Sequence, residues 1–198
     1  MKAQETAVIF IEFQNDFCSP GGKLYDQVAD QIAKTGTVRN ASRLLALARE
    51  KGCKIIHCPF TLDREWVAEI KSGGTLAAGA EAGLFAPESW GHDIIDELAP
   101  LEGEVVLAGK RALSAFSHTN LAHLLHFAGI KNLVVAGFLT NVCAQATAMS
   151  AYDAGYSVRM VPEACGAVNQ TIQDYVEKDF APLLGGCMTV DEFDREVQ

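Results

Sequence analysis

Short unbroken apolar runs alternate along this chain with segments whose apolar residues recur at helical spacing. Ala7-Val8-Ile9-Phe10-Ile11, Lys54-Ile55-Ile56-His57-Cys58, Val105-Val106-Leu107-Ala108, Leu133-Val134-Val135-Ala136 and Ser157 to Val161 each read as a strand. A strand covered on both faces of a parallel sheet has no polar side to show, which is why such runs do not alternate. A further short strand is expected near Cys187 to Val190. Between the runs, helices are predicted from about Asp26 to Lys51, from the Ser117-His118-Thr119-Asn120 caps to about Phe127, from Asn141 to Gly155, and from about Ile172 to Pro182. Gly52, Gly129 and Gly155 stand where C-caps belong. Asp93 to Leu98 suggests a short helix, whereas Thr61 to Leu101 otherwise shows no clear period and reads as an irregular insertion, either a lid or binding loop or a plain surface excursion. The alternation predicts an α/β fold: a doubly wound, mostly parallel sheet of about six strands with helices on both faces, in a single domain over residues 1–198.

Composition narrows the partners. The 198 residues are 49% hydrophobic and carry a formal net charge of −9, so a packed core is expected and affinity for nucleic acid or an anionic membrane is not. No apolar run approaches the ~20 residues of a membrane span, and the polar start Met1-Lys2-Ala3-Gln4-Glu5-Thr6 lacks a signal-peptide pattern, so a cytoplasmic location is expected. Six scattered cysteines without a Cys-x-x-Cys pattern read as free thiols.

Position then singles out three side chains. Ligands of open parallel sheets bind beyond the carboxyl ends of the strands, where loops and helix N-termini converge. Glu12 follows the first run, Lys110 the third, and Cys143 the fourth. Cys143 also opens a helix, where unpaired N–H groups and the macrodipole favour a thiolate. Taken singly, Cys143 could be a packing residue and Glu12 with Lys110 an ordinary ion pair. Together they make a nucleophile, an acid/base and a cation, the set that covalent acyl transfer needs.

Four motifs in order carry a resemblance over nearly the whole chain: Phe13-Gln14-Asn15-Asp16-Phe17; Gly109-Lys110-Arg111-Ala112-Leu113-Ser114-Ala115-Phe116 with Thr119 and Leu121; Gly137-Phe138-Leu139-Thr140-Asn141-Val142-Cys143; and Gly155-Tyr156. The chain resembles the isochorismatase-like cysteine hydrolases, among them nicotinamidases, N-carbamoylsarcosine amidases and ureidoacrylate amidohydrolases. The resemblance implies a Cys–Lys–acid triad of Cys143, Lys110 and Glu12, and a cis peptide between Phe138 and Leu139. It further implies an oxyanion hole from the backbone N–H groups of Leu139 and Cys143. Phe17, Phe138 and Trp90 are expected to line a small pocket, and homo-oligomerisation is implied by analogy.

Two departures shape the expected chemistry. The family's catalytic aspartate is replaced here by Glu12, one methylene longer. Asp16, in the neighbouring motif, is assigned to capping backbone N–H groups of the turn. The Asp-x-His metal pair of nicotinamidases is not reproduced in His57-Cys58-Pro59-Phe60-Thr61-Leu62-Asp63, so no metal and no cofactor are expected. Retention of the cysteine favours cleavage of a carbon–nitrogen bond in a small-molecule amide over the vinyl-ether chemistry of isochorismatases. A binding or scaffold protein that has lost productive geometry at Glu12, and a redox-sensitive thiol at Cys143, are the other readings.

Overall fold

In the computed structural model, which describes residues 1–71 and 73–198, β1 (Thr6–Ile11), β2 (Lys54–Cys58), β3 (Val105–Val106), β4 (Asn132–Phe138) and β5 (Ser157–Gly166) form one parallel sheet. Its order is β3-β2-β1-β4-β5. Every residue of β1 is buried, as its unbroken apolar run requires, and its alternate side chains enter opposite layers. Val8 and Phe10 pack with Leu44, Leu45 and Phe193 on one face, while Ala7, Ile9 and Ile11 pack with Leu121, Leu125 and Ala148 on the other. The chain runs outward through β2 and β3, then returns to the far side of β1 as β4. The strand order therefore reverses between β1 and β4, and the crevice beyond their carboxyl ends is the natural place for a site.

The helices are α1 (Asn15–Cys18), α2 (Tyr25–Thr35), α3 (Thr37–Lys51), α4 (Arg64–Glu69), α5 (Gly74–Ala82), α6 (Leu121–Phe127), α7 (Gln145–Asp153), α8 (Gln170–Tyr175) and α9 (Val190–Glu196). Among the described residues, no helix is long and apolar enough to cross a membrane. The expected helix from Asp26 to Lys51 is divided at Gly36, whose φ of 67° ends α2 and opens α3. The expected sixth strand is absent from the described residues. Cys187 contributes an isolated bridge to Met160, and Val190 instead begins α9 behind a capping box in which Thr189 and Glu192 each bond the other's backbone N–H. The helix expected from Asn141 starts one residue earlier, as a wide π-turn over Thr140–Ala144 that runs into α7. Asp93 to Leu98 is helical over one 3-10 turn, Asp96–Leu98.

The stretch from Thr61 to Leu101 is more ordered than its sequence suggests, since α4 and α5 both lie in it. The turn after β1 pins it. Gln14 is fully buried, and its amide pairs with a backbone amide across the chain: Phe60 N donates to Oε1 at 2.7 Å, and Nε2 donates to Phe60 O at 2.9 Å and His92 O at 2.7 Å. Asn15 Nδ2 donates to Trp90 O at 2.9 Å. The Asp16 carboxylate accepts the N–H groups of Lys23 at 3.1 Å and Phe85 at 2.7 Å, the capping role expected of it. Gly91 packs so tightly on Asp16 that a Cβ there would lie 2.4 Å from Oδ1.

This hub predicts a graded response. Gln14→Ala strands buried partners and Gly91→Ala displaces a carboxylate that caps two amides, so each should lower urea-unfolding stability by about 2 to 3 kcal/mol. Asn15→Ala, which breaks a solvent-exposed bond to Trp90 O and a half-buried one from Ser19 Oγ, should cost less, about 1 kcal/mol. Equal losses in all three would show that the turn is not pinned through its buried members.

Candidate active site

The left-handed backbone of Glu12, with φ of 58°, turns the chain at the end of β1 and directs its carboxylate into the crevice. Glu12 N donates to Cys58 O at 3.1 Å and Gln14 N to Glu12 O at 2.8 Å, so both sides of the bend are anchored. Lys110 comes from the loop after β3. Its side chain is fully buried, and its ammonium donates to Glu12 Oε1 and, at 3.0 Å, to Ala112 O, while lying 4.2 Å from the centre of the Phe60 ring. Cys143 stands in the π-turn after β4, 4% exposed, against the same carboxylate. The peptide between Phe138 and Leu139 is cis. Thr140 Oγ1 donates at 2.8 Å to Gln173 Oε1, and Gln173 Nε2 donates at 2.9 Å to Pro162 O, which ties the turn to α8 and β5.

Burial governs the electrostatics. It raises the Glu12 carboxyl above its ordinary value, against the lowering pull of Lys110 and the Cys143 thiol. Burial also opposes the charge on Lys110, but the Glu12 carboxylate outweighs it and holds the ammonium. Cys143 is pushed well above an ordinary thiol, by burial first and by the Glu12 charge second, with Lys110 offsetting only part. Burial and the Glu12 carboxylate thus favour the protonated thiol, against the expectation of a thiolate stabilised by the helix start.

A cavity of about 160 Å³ opens over Cys143 and Glu12. The insertion supplies one wall, with Phe60, Leu62, Thr75, Leu76, Leu84 and Phe85. Phe17, Leu24, Gln27 and Val28 close another side, and Leu113, Leu139, Val142 and Val168 complete it. Phe17 thus lines the cavity as expected. Phe138 does not: it is fully buried behind Phe17, rings stacked 5.3 Å apart, because β4 turns it into the core against Gly166. Trp90 is 54% exposed and absent from the lining, since the Asn15 bond to its carbonyl holds residue 90 on the outer side of the turn. Sequence reasoning misses the insertion leucines, because nothing local marks a leucine as lining a pocket rather than a core.

His57 is buried and stacked on Phe10, with Nε2 3.0 Å from Glu104 Oε2. Burial lowers its pKa despite Glu104, so the imidazole is neutral and serves packing. Among the described residues no three His, Cys, Asp or Glu side chains gather as a metal-ligand set.

Comparison with known proteins agrees with this architecture. The isochorismatase domain model matches residues 6–192. The ureidoacrylate amidohydrolase RutB of Rhizobium rhizogenes is 29% identical over 206 residues, covering 98% of this chain and 83% of that one. A crystal structure of an isochorismatase family protein from Desulfovibrio vulgaris superposes with a TM-score of 0.78 at 27% identity, covering 97% of each chain. That of a cysteine hydrolase from Pseudomonas syringae pv. phaseolicola reaches 0.84 at 24% identity over 98% of this chain and 93% of that one, a likeness of fold. With the family's domain spanning the sheet from β1 into α9, the chain belongs to the isochorismatase family of hydrolases.

Proposed function

We propose that the protein hydrolyses a carbon–nitrogen bond of a small amide or ureide, with Cys143 as nucleophile. The observation that carries this reading is one carboxylate, Glu12, held by the Lys110 ammonium and facing the Cys143 thiol at the floor of a cavity. As the sulfur attacks the carbonyl carbon, Glu12 takes the thiol proton and a tetrahedral oxyanion forms. The backbone N–H groups of Leu139 and Cys143 stabilise that oxygen. The C–N bond breaks as Glu12 returns the proton to the leaving nitrogen, giving ammonia or an amine and a thioester. Water then attacks the thioester, Glu12 accepts its proton, and the acid and the free thiol are released. A raised carboxyl suits both roles, since an acid/base works best with a pKa near the working pH. The same bond type is cleaved by the ureidoacrylate amidohydrolase similar in sequence, which supports the reaction class. Lys110 keeps Glu12 charged until the thiol proton arrives, and the reaction calls for neither metal nor cofactor.

Ammonia release across a panel of small amides and ureides tests the reading. Cys143→Ala and Glu12→Gln should each lower kcat/KM by about a thousandfold or more. Glu12→Asp withdraws the carboxylate by one methylene on an unchanged backbone and should cost on the order of a hundredfold. Turnover that survives Cys143→Ala would remove the thiol from the mechanism. The acid limb of the kcat/KM profile follows loss of the Glu12 base, so activity should fall as pH drops through a value above the ~4.3 of an ordinary glutamate. A limb at or below that value contradicts the role given to Glu12.

Alkylation reads the resting state of the sulfur. Iodoacetamide should label Cys143 more slowly than free cysteine at about pH 8.5, and the rate should still be climbing where free cysteine has levelled off. A plateau at or below neutral pH would mean that the resting enzyme holds a thiolate.

A further inference from the structure

Among the described residues, the wall of the cavity over Cys143 carries one charged side chain, the anionic Glu12. Apart from Glu12 and Cys143, the polar side chains in its wall are Gln27 and Thr75, both exposed at the mouth. Among the described residues, no lysine, arginine or histidine lines it. The nearby cations lie outside the lining: Arg111 stands 4.0 Å from Asp63 Oδ2 and 5.8 Å from the centre of the Trp66 ring. The Lys110 ammonium is taken up by Glu12, the Ala112 carbonyl and the Phe60 ring. Lys23 borders the outer groove beyond Gln27 and Thr75, but its ammonium donates to the carbonyl oxygens of Ala82 and Gly83. A substrate carboxylate would leave water for a wall of phenylalanine, leucine and valine, find no counter-charge there, and face Glu12.

Resting on the reading of Cys143 as a nucleophile, we propose that this site selects neutral amides with an apolar chain and rejects those that carry a carboxylate. The reacting amide sits over Cys143 and Glu12, and the chain extends between Phe17, Phe85 and Leu84 towards the mouth. A cavity of about 160 Å³ that opens at Gln27 and Thr75 suits a chain of a few carbons.

Isovaleramide and malonamate make a matched pair, because the isopropyl group of the first is replaced by a carboxylate of similar shape in the second. Measured by ammonia release, kcat/KM should favour isovaleramide by more than about a hundredfold. Equal rates, or a preference for malonamate, overturn the proposal. Gln27→Arg places a cation at the mouth and should narrow the ratio by about tenfold or more; a ratio that it leaves unmoved overturns the electrostatic account. Release from neither amide counts against the amidohydrolase reading, and selectivity is then decided by binding to the Cys143→Ala protein. A rise in Tm with isovaleramide and not with malonamate sustains the proposal, whereas no rise with either, or a rise with malonamate, overturns it.

Discussion

The Lys110 ammonium and the Glu12 carboxylate share one buried bond, and neither could stay charged there without the other. Removing one member of such a pair typically costs about 3 to 5 kcal/mol, because the remaining charge is left unsolvated. The geometry around them serves that bond. β1 ends in a left-handed bend that points Glu12 inward, the chain leaves the sheet two residues into β3 to bring Lys110 beneath the insertion, and Phe60 covers the ammonium. Cys143 is the third party, and the raised pKa of its thiol reflects the same burial that forces the pair together. Stability and reactivity thus draw on a single arrangement at the reversal of strand order.

The same arrangement accommodates a glutamate where the resemblance implies an aspartate. The longer side chain reaches Lys110 and lies against Cys143 because the backbone at Glu12 is folded back on itself. The family motif around Gln14, Asn15 and Asp16 acts differently. It ties the turn after β1 to segments 46 to 78 residues away and so fixes the wall opposite the thiol. Glu12 and the motif that holds this wall are adjacent in sequence and joined through the turn after β1.

Much of this is legible in the sequence. Strands buried on both faces announce themselves as apolar runs, and Glu12, Lys110 and Cys143 are marked by standing at strand ends. What escapes depends on partners far along the chain. The division at Gly36 comes at a glycine inside a helical pattern, and α9 is hidden by an apolar start that mimics a strand, although Thr189-Val190-Asp191-Glu192 spells a capping box. α5 is built of small residues with almost no polar face to set a period. Trp90 draws attention as an aromatic in an irregular stretch, but the Asn15 bond keeps it outside. The direction of the Cys143 shift cannot be read locally, because a helix start argues for a thiolate and only the packed environment shows that burial wins.

A protonated, covered sulfur has a consequence for the life of the protein in an oxidising cell. Peroxides react with thiolates, and sulfenic acid is the first rung of damage. With its proton retained and 4% of its surface exposed, Cys143 presents little of the reactive form between turnovers. In the proposed mechanism Glu12 takes the thiol proton only when a carbonyl fills the cavity, and the same occupant shuts out the oxidant.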